Sequence, residues 1–349
     1  LSYSLSFLIF YSINNISTMI VIQNYPLAVI FCILAMICWG SWQNTRNWAG
    51  LAWRFELYYW DCALGILLLS FLAAITIGSM GDTGQTFWES LAQATPTYIA
   101  YAMLGGVIWN LGNLLLVAGI SLAGMATAFP IGGGLAWLLG ILVNYIGKPE
   151  GNPYYLLAGG TAIALAIYLC TLAYQRLQQG KAEVSYKGVI LAFIAGVLIA
   201  FFYRFVAISL ISDYANPEIG KLTPLTGVFF FCVGAYLSTW VLNPIFMKKP
   251  VKGESVSMRD YLKGTPKQHL IGILGGMIWC CGMVFSFMAA DQAGFAISYG
   301  LSNSAPIVAA LWGIFVWKEF ANAPAGTSKL LAGMFGFYFI GLVLLILAK

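Results

Sequence analysis

Charge is scarce in this chain of 349 residues: Asp, Glu, Lys and Arg together make 8%, against 60% apolar and aromatic residues. Soluble domains carry about 25% charged residues, so an ordinary globular domain in water is excluded. The mean hydropathy of +0.84 places the chain in a bilayer. Histidine occurs once, at His269, which argues against a zinc or haem centre. The seven cysteines (Cys32, Cys38, Cys62, Cys170, Cys232, Cys280, Cys281) are odd in number, form no CxxC pair and all fall in apolar stretches. They read as small core residues and not as disulfides or metal ligands. There is no G-x-x-x-x-G-K-[ST] for direct use of ATP, and no H-E-x-x-H, histidine cluster or G-x-S-x-G to supply an enzyme's metal or nucleophile. No cofactor and no catalytic residue is expected.

What the chain does have is length in apolar runs. A helix needs roughly 20 mostly apolar residues to cross a bilayer, and ten such windows fit, near 26–43, 56–77, 98–119, 123–146, 153–174, 187–210, 222–246, 267–290, 293–317 and 328–348. Windows this long exclude a barrel of ~10-residue alternating strands. The opening "LSYSLSFLIFYSINNIST" lacks a Met and the basic region of a signal peptide, so Met19 is expected as the start and 1–25 as an N-terminal segment.

The net charge of +5 does not point to nucleic acid, because the basic residues lie between the apolar windows. The odd-numbered loops hold Arg46, Arg54, Arg176, Lys181, Lys187, Lys248, Lys249, Lys252, Arg259, Lys263, Lys267, Lys318 and Lys329, and the even-numbered loops only Lys148 and Lys221. The positive-inside rule then places the odd loops in the cytoplasm and both termini outside, in the inner (plasma) membrane. The long loop from Lys248 to Gln268 reads as a solvated connector whose charges fix topology, with a lipid-headgroup contact as the alternative.

"GGVIWNLGN" at 105–113 returns as "GGMIWCCGM" at 275–283, and over 105–126 and 275–296 eight of 22 positions are identical without a gap. The chain therefore divides into a first repeat, 26–174, a cytoplasmic linker, 175–186, and a second repeat, 187–348. Five helices per copy make the second copy enter from the opposite side. The expected fold class is all-α integral membrane, ten transmembrane helices as a 5+5 inverted repeat, the geometry of alternating access.

Polar groups inside a span point to a pathway. Trp39, Gln43 and Asn44 end the first span; Trp109, Asn110 and Asn113 share a face of the third; Tyr203 and Arg204 lie in the sixth, and Tyr299 and Asn303, four apart, in the ninth. Aromatic faces with amides suit a sugar-like solute, and all ten residues are expected to bind it. Asp61 and Asp291 are candidates for proton coupling, with Asp61 also a conceivable partner of Arg204, and "VWKEF" at 316–320 reads as interfacial charge. An exporter of lipophilic cations would place an acid in an early aromatic span, and the first span has none. Short loops leave little surface for a receptor or scaffold.

Ten helices in five-plus-five, with "WGSWQNTRN" ending the first span, "GGVIWNLGN" in the third and "AGFAISYGLSNSAPIVAALWGIFVWKEF" across the ninth, resemble the drug/metabolite transporter superfamily, and within it the bacterial glucose/ribose-type sugar porters and plant ureide permeases. The resemblance covers about 26–348. It implies a secondary transporter, a monomer or homodimer, with a cavity lined by the first, third, fourth, sixth, eighth and ninth spans, importing a small polar solute with protons. A sugar is the expected solute; a ureide or nucleobase, or export of a metabolite or drug, is the alternative.

Overall fold

The computed structural model describes residues 20–50, 52–81, 84–124, 127–128, 130–178, 185–214 and 216–349. The expected start at Met19 lies outside them. Among the described residues ten helices are long and apolar enough to cross a membrane: Tyr25–Ala49, Phe55–Ile75, Pro96–Ala123, Pro130–Gly147, Pro153–Leu177, Tyr186–Ser209, Pro224–Lys248, Pro266–Ala293, Phe295–Val316 and Thr327–Ile346, here the first to tenth spans. No strand occurs among the described residues, only an isolated bridge between Leu210 and Leu222.

The sequence writes the ends of these helices. The third, seventh and eighth spans each open with a proline after a threonine, Thr95–Pro96, Thr223–Pro224 and Thr265–Pro266. The threonine is extended at the cap, and the proline occupies a position whose N–H would have no helical partner. Thr265 also closes a capping box with Gln268. The third and eighth spans finish alike, on Gly124 at φ 80° and Gly294 at φ 82°, a region that a side chain disfavours. That turn corrects the expected fourth window. Apolar sequence continues from 123, but the backbone leaves the third span at Gly124 and the next span starts at Pro130.

The spans pack in pairs that repeat. The third lies against the sixth and the eighth against the first; the second against the eighth and the seventh against the third; the fourth against the sixth and the ninth against the first. The second and seventh, fourth and ninth, and fifth and tenth pack on one another. Adding five to every span number returns the same list. The closest seams obey the same exchange. Gly65 faces the carbonyl of Ile273 and Gly276 that of Cys62, while Gly234 faces the carbonyl of Met103 and Gly106 that of Phe231; a Cβ at any of the four would strike backbone. Between helices in lipid such close packing is the main attraction.

The duplicated tryptophans meet in the middle. Trp109 and Trp279 have ring centroids 4.1 Å apart, and Trp39 and Phe231 each stack on Trp279 at 6.0 Å. All seven cysteines are free and buried or half-buried, as their apolar settings implied.

The Lys248–Gln268 loop is more than a solvated connector. It folds back through Val256 N–H to the Met247 carbonyl, carries the short helix Met258–Leu262, and is held by Arg54, whose guanidinium donates to the carbonyls of Lys252 and Glu254.

Candidate functional site: a cavity open at the basic-loop end

Three spans are interrupted, and all three surround one hollow. The first breaks at Trp42–Gln43 before a short helix, Asn44–Ala49, that stops at Gly50 (φ 97°). The fourth opens with a wide turn at Pro130–Gly134. The ninth runs Phe295–Ser302, restarts at Pro306 and ends in a second wide turn, Trp312–Val316. Proline has no N–H to give the preceding turn, and broken helices in corresponding positions of two halves free backbone groups where a cavity can use them.

The hollow opens at the basic-loop end. Its mouth, about 310 Å³, is lined by Trp42, Gln43, Asn44, Arg46, Tyr58, Ser121, Tyr174, Trp317 and Glu319 among others. A deeper chamber of about 160 Å³ lies among Trp39, Gln43, Leu116, Trp137, Ile199 and Asn303. Gly40, Gln43 and Ala309 belong to both. The walls are held rigidly. Trp39 Nε1 donates to the Trp279 carbonyl at 3.0 Å and Trp137 Nε1 to the Gly300 carbonyl at 2.9 Å. Asn44 spends both ends of its amide, Nδ2 on the Ser41 carbonyl at 3.0 Å and Oδ1 on Trp317 Nε1 at 2.6 Å. The Asn303 Nδ2 group reaches the Tyr299 carbonyl at 3.1 Å. The Gln43 carboxamide makes no hydrogen bond among the described residues, so one free amide projects where the two chambers join.

Trp39, Gln43, Asn44 and Asn303 thus come together around the cavity. The other expected ligand residues lie elsewhere. Asn110 is fully buried, with Oδ1 accepting from Tyr59 Oη at 2.6 Å and Nδ2 donating to Ser238 Oγ at 2.8 Å and Thr239 Oγ1 at 3.1 Å. Asn113 Nδ2 donates to the same Tyr59 hydroxyl at 3.2 Å. These amides tie the third span to the second and seventh, and Trp109 is in the central aromatic stack. Tyr203 and Tyr299 belong to the layer that closes the far end. Tyr203 stacks on Phe287 at 4.1 Å and its hydroxyl meets Ser286 Oγ at 3.0 Å and Ser298 Oγ at 3.2 Å, while Tyr299 Oη donates to the Ala136 carbonyl at 2.8 Å. Arg204 lies against Gly147 at the far end of the fourth span.

Asp61 is not the partner of Arg204. It is buried near the basic-loop end and bound by Tyr261 and His269. Asp291 is half-buried at the far end, accepting from Gln292 Nε2 at 3.0 Å. Sequence reasoning missed Trp42, Trp137, Tyr58 and Tyr174 as cavity residues, and it read Arg46 as a loop charge and Glu319 as interfacial, whereas both line the mouth; Tyr174 Oη donates to Glu319 Oε2 at 2.9 Å. The signals were present in "IGGGLAWLLG" and "VWKEF": a tryptophan beside a glycine run, and a carboxylate one turn after a broken helix.

Comparison with known proteins agrees with this architecture. Residues 161–348 match the sequence model of the ureide permease family. Ureide permease 1 of Arabidopsis thaliana is 22% identical over 387 residues, covering 94% of this chain and 98% of that protein. Probable glucose uptake protein GlcU of Staphylococcus aureus (strain N315) is 25% identical over 224 residues, covering 64% of this chain and 70% of that protein. A solved crystal structure superposes with a TM-score of 0.60 at 16% identity, over 93% of this chain and 99% of its own, which shows a shared fold. With ten membrane-length helices around a polar hollow and a family match over more than half its length, the chain belongs to the ureide permease family and is a multi-pass membrane transporter of small solutes.

Proposed function

We propose that this transporter carries a small neutral cyclic amide, a ureide or nucleobase-like ring, across the plasma membrane by alternating access between inverted five-span repeats, 26–174 and 187–348. The observation that carries the reading is the free Gln43 carboxamide at the junction of the two chambers, in a chamber it lines with Trp39, Trp137 and Asn303. A carboxamide offers a donor and an acceptor side by side, matching the edge of a cyclic amide, and an indole face suits a flat ring. The near-full-length similarity to a ureide permease supports the same choice. The sugar expected from the sequence is the second reading, favoured by the partial similarity to a glucose uptake protein. In both readings the cavity is open to the cytoplasm and the layer around Tyr203 and Tyr299 is the closed outer gate.

Counterflow into proteoliposomes separates the two. Labelled allantoin and uracil are expected to exchange and glucose is not. Exchange of glucose alone makes the sugar reading the right one, and no exchange of any of the three ends the solute assignment.

A further inference from the structure

The single histidine, half-buried, and the buried second-span aspartate form a pair that does not line the cavity. Asp61 is 1% exposed. Its carboxylate accepts the Tyr261 hydroxyl at 2.7 Å and meets His269 Nδ1 at 2.9 and 3.1 Å. The three groups come from the second span, the loop helix Met258–Leu262 and the eighth span, with Trp53 edge-on to the imidazole at 5.6 Å and Gly272 packed against the Asp61 side chain. Around them the other charges are already matched. Asp260 pairs with Lys263 at 3.0 Å and Glu56 with Arg54 at 2.6 Å. The remaining titratable neighbours are a thiol and two phenols: Cys62 and Tyr58 on the second span, and Tyr236 of the seventh beyond Tyr261. His269 is the one basic side chain within ion-pair distance of Asp61 among the described residues, and its ring is partly exposed.

We propose that Asp61 and His269, capped by Tyr261, form a proton-binding site that fastens the second span and the loop helix to the eighth span. Imidazole changes charge between about pH 5 and 8. With the proton bound, charge attraction joins the hydrogen bonds that hold the pair; without it only hydrogen bonds remain, and the seam between the second and eighth spans weakens. Burial and the Asp61 carboxylate hold the Tyr261 phenol above its ordinary value, so it stays a donor in both states. The site can speak to the cavity through one helical turn. Tyr58, three residues before Asp61, lines the mouth and shares a 2.7 Å hydrogen bond with Thr45 Oγ1, next to Asn44. This coupling to solute rests on the transport reading above; the proton site itself does not.

One histidine in the chain gives one imidazole NMR signal from histidine-labelled protein in nanodiscs, provided that the affinity tag contains none. The signal is expected to respond to pH, with its midpoint lower by about half a unit or more in Asp61→Asn than in the wild type and higher in Tyr261→Phe, which removes a donor that drains charge from the carboxylate. A signal that does not titrate, or a midpoint unmoved in Asp61→Asn, overturns the site. For the coupling, His269→Gln is expected to keep allantoin counterflow within about twofold while accumulation driven by an imposed pH gradient falls about tenfold or more. Wild-type accumulation in His269→Gln overturns it. If the wild type exchanges no solute, the transport reading fails and the NMR titration still decides the proton site.

Discussion

Gln43 and Asn44 are adjacent and chemically alike, yet the fold uses them in opposite ways. Asn44 has both amide ends committed to Ser41 and Trp317, so its removal falls on the fold; Gln43 has neither, so its removal falls on whatever enters the cavity. One neutral hydrogen bond is worth about 0.5–1.5 kcal/mol, and about 1.4 kcal/mol is tenfold in affinity. Gln43→Leu is therefore expected to weaken solute binding up to about tenfold at unchanged thermal stability. Asn110→Leu is expected to do the reverse. It leaves the Tyr59 hydroxyl proton without its acceptor, at about 1–3 kcal/mol for a buried unpaired group, and removes the Nδ2 bonds to Ser238 and Thr239. Thermal unfolding in detergent together with binding titrations reads both effects. A drop in affinity without a drop in unfolding midpoint for Asn110→Leu would return that amide to the solute path.

The helices themselves were legible because bilayer thickness sets a length that composition reveals, and the Thr-Pro starts and glycine ends are written in local chemistry. The partners of the polar groups were not. A sequence shows that Asn110 and Asn113 are costly in lipid, but a hydroxyl from Tyr59 and a ligand satisfy them equally well; Asp61 and His269 are 208 residues apart and meet only when the second and eighth spans pack. At this scale the four seam glycines make the sharpest prediction. Gly106→Leu and Gly276→Leu would each drive a side chain into a facing backbone carbonyl, whereas Gly336 has open space around it. Overpacking costs about 1–3 kcal/mol or more where backbone cannot yield. Size-exclusion chromatography is expected to show loss of the monodisperse peak for Gly106→Leu and Gly276→Leu alike, and none for Gly336→Leu. Unequal losses would mean that the two seams are not equivalent.

For the whole molecule, the proposed inverted repeat, two copies of one unit related by an axis in the membrane plane, accounts for the packing pairs that survive adding five to each span, the paired seams and the facing Trp109 and Trp279. Such an axis has a consequence for two lysines 170 residues apart. Lys148 follows the fourth span and Lys318 the ninth, the corresponding positions of the two halves, and both side chains have contact with solvent. An inverted arrangement puts them on opposite faces of the membrane, with Lys318 on the basic, cytoplasmic side beside the cavity mouth and Lys148 outside. In a background with the seven native cysteines replaced, Lys148→Cys is expected to react with an impermeant maleimide on intact cells, and Lys318→Cys only after the membrane is opened. Labelling of both from one side would break the inverted repeat and, with it, the mechanism in which a cavity open at one end closes as its mirror opens at the other.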